Sequence, residues 1–269
     1  MTRNPTDLYA RLIETIFHRH HQEGDEVVRF TREELVSTAA ELGVELPKNL
    51  GDVVYAFKFR RPLPPSILEK APADKHWVIV NRGRALYAFE TRTDARILPD
   101  PLMTVTKIPD ATPGIVAKYA LDDEQALLTK LRYNRLIDIF TGVVCYSLQN
   151  HLRTTVPNFG QVETDELYVG VDRKGEHYVF PVQAKGGNDE LGVVQIEQDV
   201  ALCAHKFPDL TCRAVAAQFM VSEVIALFEF EFVEGQVRKV SERHYKLVLP
   251  EELTQEDVAL YRQRFDTPL

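Results

Sequence analysis

Residues 161–185 read Gln161-Val-Glu-Thr-Asp-Glu-Leu-Tyr-Val-Gly-Val-Asp-Arg-Lys-Gly-Glu-His-Tyr-Val-Phe-Pro-Val-Gln-Ala-Lys185. Two extended runs, Gln161 to Val171 and Glu176 to Lys185, flank Arg173-Lys174-Gly175, a three-residue loop whose glycine suits the left-handed bulge position of a hairpin. With Asp172 facing Glu176, Asp165 falls opposite Gln183 and Glu163 opposite Lys185. Opposed residues share a sheet face about 5 Å apart at Cβ. Strand alternation also places Glu163 with Asp165, and Gln183 with Lys185, on that face. The expectation is a patch of two carboxylates, an amide and an ammonium.

Such a patch has a chemical use. A hard divalent cation such as Mg²⁺ takes a few oxygen ligands from the protein and keeps several waters. Asp165 and Glu163 supply charge, and the Ala184 carbonyl completes the protein side. A bound cation acidifies water and neutralises charge building on a phosphate. Lys185 can orient the attacking water or stabilise the pentavalent phosphate. A cross-strand salt bridge on a half-exposed sheet is the non-catalytic explanation of the same four residues.

Working outward, a long helix is expected over Asp123 to about Gln149, carrying Leu127, Leu131 and Ile137, then a short strand at Leu152 to Val156 ahead of the hairpin. A helix from Leu191 to Phe207, strands near Thr211–Phe219, Val224–Phe232 and Arg238–Leu249, and a closing helix after Thr254 follow. The second half is thus a mixed sheet flanked by helices. Asp165, the hairpin and Gln183-Ala184-Lys185 in this αβββαβ order resemble the active-site signature of the PD-(D/E)xK nuclease superfamily, closest to the Asp…Gln-x-Lys variant of Mrr-like restriction enzymes. The resemblance covers roughly residues 120–220. It implies Asp165 as metal ligand, Lys185 as catalytic lysine and Gln183 in the usual acidic position, with Mg²⁺, or Mn²⁺ in its place. An amide brings no charge, so a further carboxylate is needed: Glu163 first, Glu124 on the preceding helix second. Gln195, Glu197, Gln198 and Asp199 lie on the following helix, where family members carry polar residues lining the site, and Gln195 is the preferred one. Gly186 and Gly187 leave space beyond Lys185 for a DNA backbone or simply form a loop.

The first ninety residues run helix, strand, helix, helix, hairpin. Leu8, Leu12 and Ile16 repeat at helical spacing from Asp7 to Glu23, and Glu26 to Phe30 is extended. Thr31 and Glu34 form a capping-box signature for a helix ending near Gly43. A third helix fits Lys48 to Phe59 before Pro62, Pro64 and Pro65. His76 to Val80 and Ala85 to Glu90 pair around Asn81-Arg82-Gly83-Arg84. This is the order of a winged helix, whose third helix enters a major groove while the hairpin touches the backbone. Lys48, Lys58, Arg60, Arg61, Arg82 and Arg84 sit on those two elements, and a winged helix used for protein contacts is the alternative.

Net charge is −8 over 269 residues, yet it is −4 for residues 1–46, +5 for 47–96 and −9 for 97–269. A positive block attracts phosphate locally, because screening confines the field to roughly 10 Å. Proline-rich residues 92–120 read as a connector, giving a winged-helix domain over 1–91 and a nuclease-like domain over 121–269. The fold class expected is α+β or α/β. No apolar run approaches a membrane span, and the start lacks a signal-peptide pattern. Three cysteines without a CxxC pair indicate free thiols in the cytoplasm. His18 and His21 lack further zinc ligands, and Walker A, GxGxxG and GxSxG motifs are absent. His151 and Arg153 can face substrate phosphate or plain solvent. The expected function is a Mg²⁺-dependent restriction-type endonuclease acting on double-stranded DNA. A symmetric homodimer is expected if it cuts both strands of a palindrome. Alternatives are a non-catalytic DNA-binding regulator and a structure-specific repair nuclease.

Overall fold

The computed structural model describes residues 5–93, 96–119, 124–186, 189, 191–233 and 235–264; Asp123 and Gly187 lie outside them. The chain is mixed α/β. Helix α1 (Pro5–His20) is followed by β1 (Val27–Thr31), and α2 (Arg32–Leu42) starts where Thr31 and Glu34 close the expected capping box. Gly43 ends α2 at φ 63°, a left-handed conformation that favours glycine. The third helix is shorter than expected: α3 (Gly51–Tyr55) gives way to a π-helical turn over Ala56–Arg60, and α4 (Pro65–Leu68) follows the prolines. Strands β2 (His76–Asn81) and β3 (Leu86–Arg92) form the hairpin, and the small sheet has order β1-β3-β2. Leu12, Ile16, Phe17, Phe30, Leu35, Trp77 and Phe89 fill the core between it and the helices.

The expected connector holds β4 (Arg96–Ile97), β5 (Val105–Pro109) and α5 (Gly114–Tyr119). It is no free linker, since β5 pairs in parallel with β13 (Gln236–Val248) at the edge of the large sheet.

The long helix expected over 123–149 is broken. It is α6 (Glu124–Tyr133) and α7 (Leu136–Thr141), separated at Arg135, whose φ is +50°, and stopped by Gly142 at φ 69°. Residues 144–149 belong instead to β6 (Val144–Val156), where Val144, Cys145 and Tyr146 alternate out and in as a strand requires. Next come β7 (Gly160–Val171), β8 (His177–Lys185), β9 (Leu191–Gly192), α8 (Val193–Lys206), β10 (Thr211–Cys212), β11 (Ala214–Phe219) and β12 (Val224–Val233), and α9 (Gln255–Gln263) closes the chain. The large sheet runs β5-β13-β12-β11-β8-β7-β6, with β10 beside β8. The β6-β7-β8 meander is antiparallel, and α8 carries the chain over to β11, which pairs with β8 in parallel.

One sheet face packs Tyr168, Phe180, Val182 and Ala184 against Leu127, Leu131 and Ile137 of α6 and α7. The other packs on α8 through Val162, Leu167, Val179, Leu202 and Cys203. Val80 and Ala88 of the small sheet join Leu191, Val194 and Ile196 in one buried cluster, so the N-terminal unit sits directly on α8. Arg92 reinforces that seam, bonding Glu197 at 2.6 Å and Glu90 at 3.0 Å. The three cysteines are free thiols. Among the described residues no helix is long and apolar enough to cross a membrane.

Candidate active site

The hairpin register follows the expected pairing from Val171↔His177 to Glu166↔Val182, with Gly175 left-handed at φ 85°. There the ladder ends. The pairs expected next, Asp165 with Gln183 and Glu163 with Lys185, are not formed as backbone partners. Instead the Asp165 carboxylate accepts the Ala184 N–H at 2.8 Å. A side-chain acceptor thus takes the place of a facing-strand carbonyl where the β7–β8 ladder stops. The pairing of β6 with β7 is also interrupted at this level, between Asn150↔Glu166 and Leu152↔Thr164, and His151 takes a left-handed φ of 48°. That conformation is strained for a side chain with a Cβ.

Lys185 extends from the end of β8 to Glu124 at the start of α6, with 2.9 Å between Nζ and Oε1. Glu124, not Glu163, therefore supplies the carboxylate beside the lysine. Glu163 lies half-exposed towards β6, 3.6 Å from Arg153 and 3.8 Å from His151. The patch expected from strict alternation loses Glu163 because the ladder on which that expectation rested stops three pairs short of Glu163 with Lys185.

Asp165, Lys185 and Glu124 act on one another electrostatically. Burial raises the Asp165 pKa; the Ala184 N–H and the Lys185 ammonium oppose the rise, and the Glu124 charge adds to it. Behind Asp165 lies a carboxyl that the sequence named only among several polar residues. Asp199 on α8 is fully buried, and its Oδ1 accepts from Gln183 Nε2 at 3.1 Å. Its Oδ2 has no partner among the described residues. Burial first, then the nearby Asp165 charge, raises the Asp199 pKa well above its ordinary value, which favours the protonated acid. Gln183 is held on three sides: its amide donates to Asp199 and, at 3.3 Å, to the Glu163 carbonyl, and its Oε1 accepts from Gln195 Nε2 at 3.4 Å. The Gln195-to-Asp199 spacing of one helical turn puts both on one face of α8, the pattern that could have singled out Asp199.

Around Lys185 the cluster sets two carboxyl groups, Asp165 and Glu124, against one ammonium. Asp165 Oδ1 has no hydrogen-bond partner among the described residues, whereas Oδ2 is fixed by Ala184. A partly buried carboxylate with one oxygen committed and the other open fits a cation that needs one or two carboxylates and otherwise water. Among the described residues, no three His, Cys, Asp or Glu form a metal-holding group.

The basic residues of the N-terminal unit divide. Lys48, Arg60, Arg61 and Arg84 are exposed. Arg82 is not presented at the hairpin tip but is bound through two nitrogens to the buried Glu90. Lys58 turns inward, 3.5 Å from Asn81 Oδ1. His18 and His21 go separate ways: His18 meets Ser66 at 3.4 Å, and His21 stacks on Phe17. No family model, curated protein or solved structure matches this chain.

Proposed function

We propose that this chain is a metal-dependent, restriction-type DNA endonuclease, a winged helix followed by a PD-(D/E)xK-like core. The observation that carries the proposal is the placing of Asp165 and Lys185 where the β7–β8 ladder stops, the lysine's charge acting on the aspartate and Glu124 reaching the lysine at 2.9 Å. The order α6, β6, β7, β8, α8, β11 supports the αβββαβ reading. The first unit supports the winged helix through α1, α2 and α3 ahead of the hairpin, with the short α4 intervening, and a sheet ordered β1-β3-β2.

Asp165, Glu124 and the Ala184 carbonyl are the groups to hold Mg²⁺ or Mn²⁺, with Glu163 at greater reach. The cation, when bound, acidifies water and offsets charge on the scissile phosphate. Lys185 holds the attacking water by donating an ammonium hydrogen bond to its oxygen, and its charge stabilises the pentavalent phosphate as the P–O bond to the leaving strand breaks. Asp199 and Gln195 fix the Gln183 amide, so the floor of the site does not reorganise. Lys48, Arg60, Arg61 and Arg84 are available to duplex phosphates, which position the protein without reading sequence.

Incubating the purified protein with mixed genomic DNA, with Mg²⁺, with Mn²⁺ and with neither, tests the proposal. Metal-dependent discrete fragments are expected. DNA that is shifted in a gel but never cut refutes the enzyme and favours the non-catalytic regulator, in keeping with an uncharged Gln183. Cutting confined to branched or mismatched plasmid points to a repair nuclease instead.

A further inference from the structure

A cleft of about 650 Å³ opens between the π-helical turn after α3 and the N-terminal end of α8. Lys58, Arg60 and Arg61 line it from one side, Gln195 and Gly192 from the other, and Phe59 and Trp77 contribute apolar wall. Its size lies within the range of sites that enclose a small ligand.

Arg96 and Asp189 also line the cleft, and several cations elsewhere in the chain are held by acids. Arg82, Arg92, Lys107, Arg132, Arg213 and Lys239 each meet a carboxylate within ion-pair distance. Among the described residues Lys58, Arg60 and Arg61 meet none, in a chain that carries eight more acids than bases. Arg60 lies over the Tyr55 ring at 5.0 Å, and Lys58 lies 4.8 Å from the Phe59 ring centre. Burial lowers the Lys58 pKa to about 8, with the distant attraction of Glu197 too weak to restore it. A desolvated ammonium without an ionic partner is costly unless an anion arrives to pair with it. Gln195 connects the cleft to the site, since its side chain also donates to Gln183.

We propose that this cleft binds one phosphate-bearing nucleotide unit, its phosphate on Lys58, Arg60 and Arg61 and its base against Phe59. The inference deepens the nuclease reading by giving the substrate strand a subsite beside Gln195, and it gives the cations of the turn a role toward that strand beside their reach to duplex phosphate. The same chemistry is offered by a nucleotide within a strand and by a free nucleotide.

Trp77 is the sole tryptophan of the chain, so its emission reports on the cleft. The experiment uses full-length Asp165→Asn protein without divalent metal, titrated with deoxynucleoside monophosphate, with a five-nucleotide single strand and with inorganic phosphate. Trp77 fluorescence and the anisotropy of a labelled strand are both read. The strand is expected to change Trp77 emission and to bind with a log–log salt slope of roughly −0.7, since the cleft neutralises about one phosphate of a single strand. Arg60→Ala/Arg61→Ala should weaken binding at least about tenfold and flatten that slope. Monophosphate competing with the strand supports a free nucleotide as occupant, and no competition supports the strand; either outcome keeps the nucleotide. Inorganic phosphate competing as well as the monophosphate overturns it, leaving a bare anion site. Unchanged Trp77 emission with wild-type affinity in the double variant also overturns it. Because no cutting is measured, binding here survives a failure of the nuclease assay, and the two readings fall separately.

Discussion

Replacing Asp165 in two ways separates its part in the fold from its part in the chemistry. Asp165 Oδ2 accepts the N–H of Ala184, a residue with no exposed surface. Asp165→Ala strands that N–H where water does not reach, at a cost of about 1–3 kcal/mol. Asp165→Asn retains an amide oxygen for the bond and removes the charge. Burial raises the Asp165 pKa from its ordinary 3.8, so the folded protein favours the protonated carboxyl more than the unfolded chain does. That contribution to stability is complete below the unfolded value near 3.8 and is lost as pH rises through the folded one. Asparagine carries no charge and escapes the loss. Without metal, Asp165→Asn should therefore gain on wild type as pH rises from the acid side towards neutrality, and Asp165→Ala should trail Asp165→Asn throughout by the cost of the stranded amide. Urea denaturation across that range measures both differences. In Mg²⁺ both variants should lose plasmid cleavage by at least about 10²-fold, the effect of deleting one preorganised charge at a hydrolytic centre. Wild-type cutting by a clean Asp165→Asn preparation refutes the catalytic assignment. Equal stabilities of the two variants refute the account of Ala184.

Glu124→Gln should raise the Mg²⁺ concentration for half-maximal cleavage by roughly tenfold, as loss of one charged ligand does, while Glu163→Gln stays within about twofold; the reverse order would restore Glu163 to the metal. Gly170→Ala should cost about 1–3 kcal/mol in denaturant, because a Cβ there meets Val143 Cγ1 at 2.7 Å and Phe180 Cε2 at 3.0 Å. Arg92→Ala breaks the buried bridge to Glu197 and Glu90 and should cost about 3–5 kcal/mol near neutral pH. Burial works against ionised Glu90, but the bonds and charges of Arg82 and Arg92 prevail and hold its pKa below 4.5. Its contribution is therefore present above about 4.5 and fades as pH falls through the folded value, so the penalty of Arg92→Ala should shrink in acid, as urea midpoints taken at both pH values would report.

The parts of this chain legible in its sequence are those with a local cause. Gly175 permits the hairpin turn, and the turn fixes the register as far as Glu166 and Val182. Thr31 and Glu34 mark a helix start that needs only three residues to define. The misread stretch, 134–149, has competing local causes. The helical spacing of Leu127, Leu131 and Ile137 invites a helix through Val143–Tyr146, although that run is β-branched and aromatic and follows Gly142. Arg135 at φ +50° breaks the helix without a residue type that announces it.

At the site the missing information is non-local in a more specific way. Glu124 reaches Lys185 across 61 positions of sequence, and no periodicity links the two. Glu163 misses the cluster because Asp165 bonds a backbone N–H, ending the ladder that alternation assumes to continue. Asp199 is harder still, for a buried carboxyl contradicts the rule that places such groups outside. These departures share one place. The curtailed ladder, the left-handed His151 and the buried acid all lie within the few residues around Asp165, and a structure tolerates such local cost where it is offset by something other than stability. A cross-strand salt bridge on a continuous sheet would require none of the three, which is why the arrangement argues for chemistry over a structural ion pair.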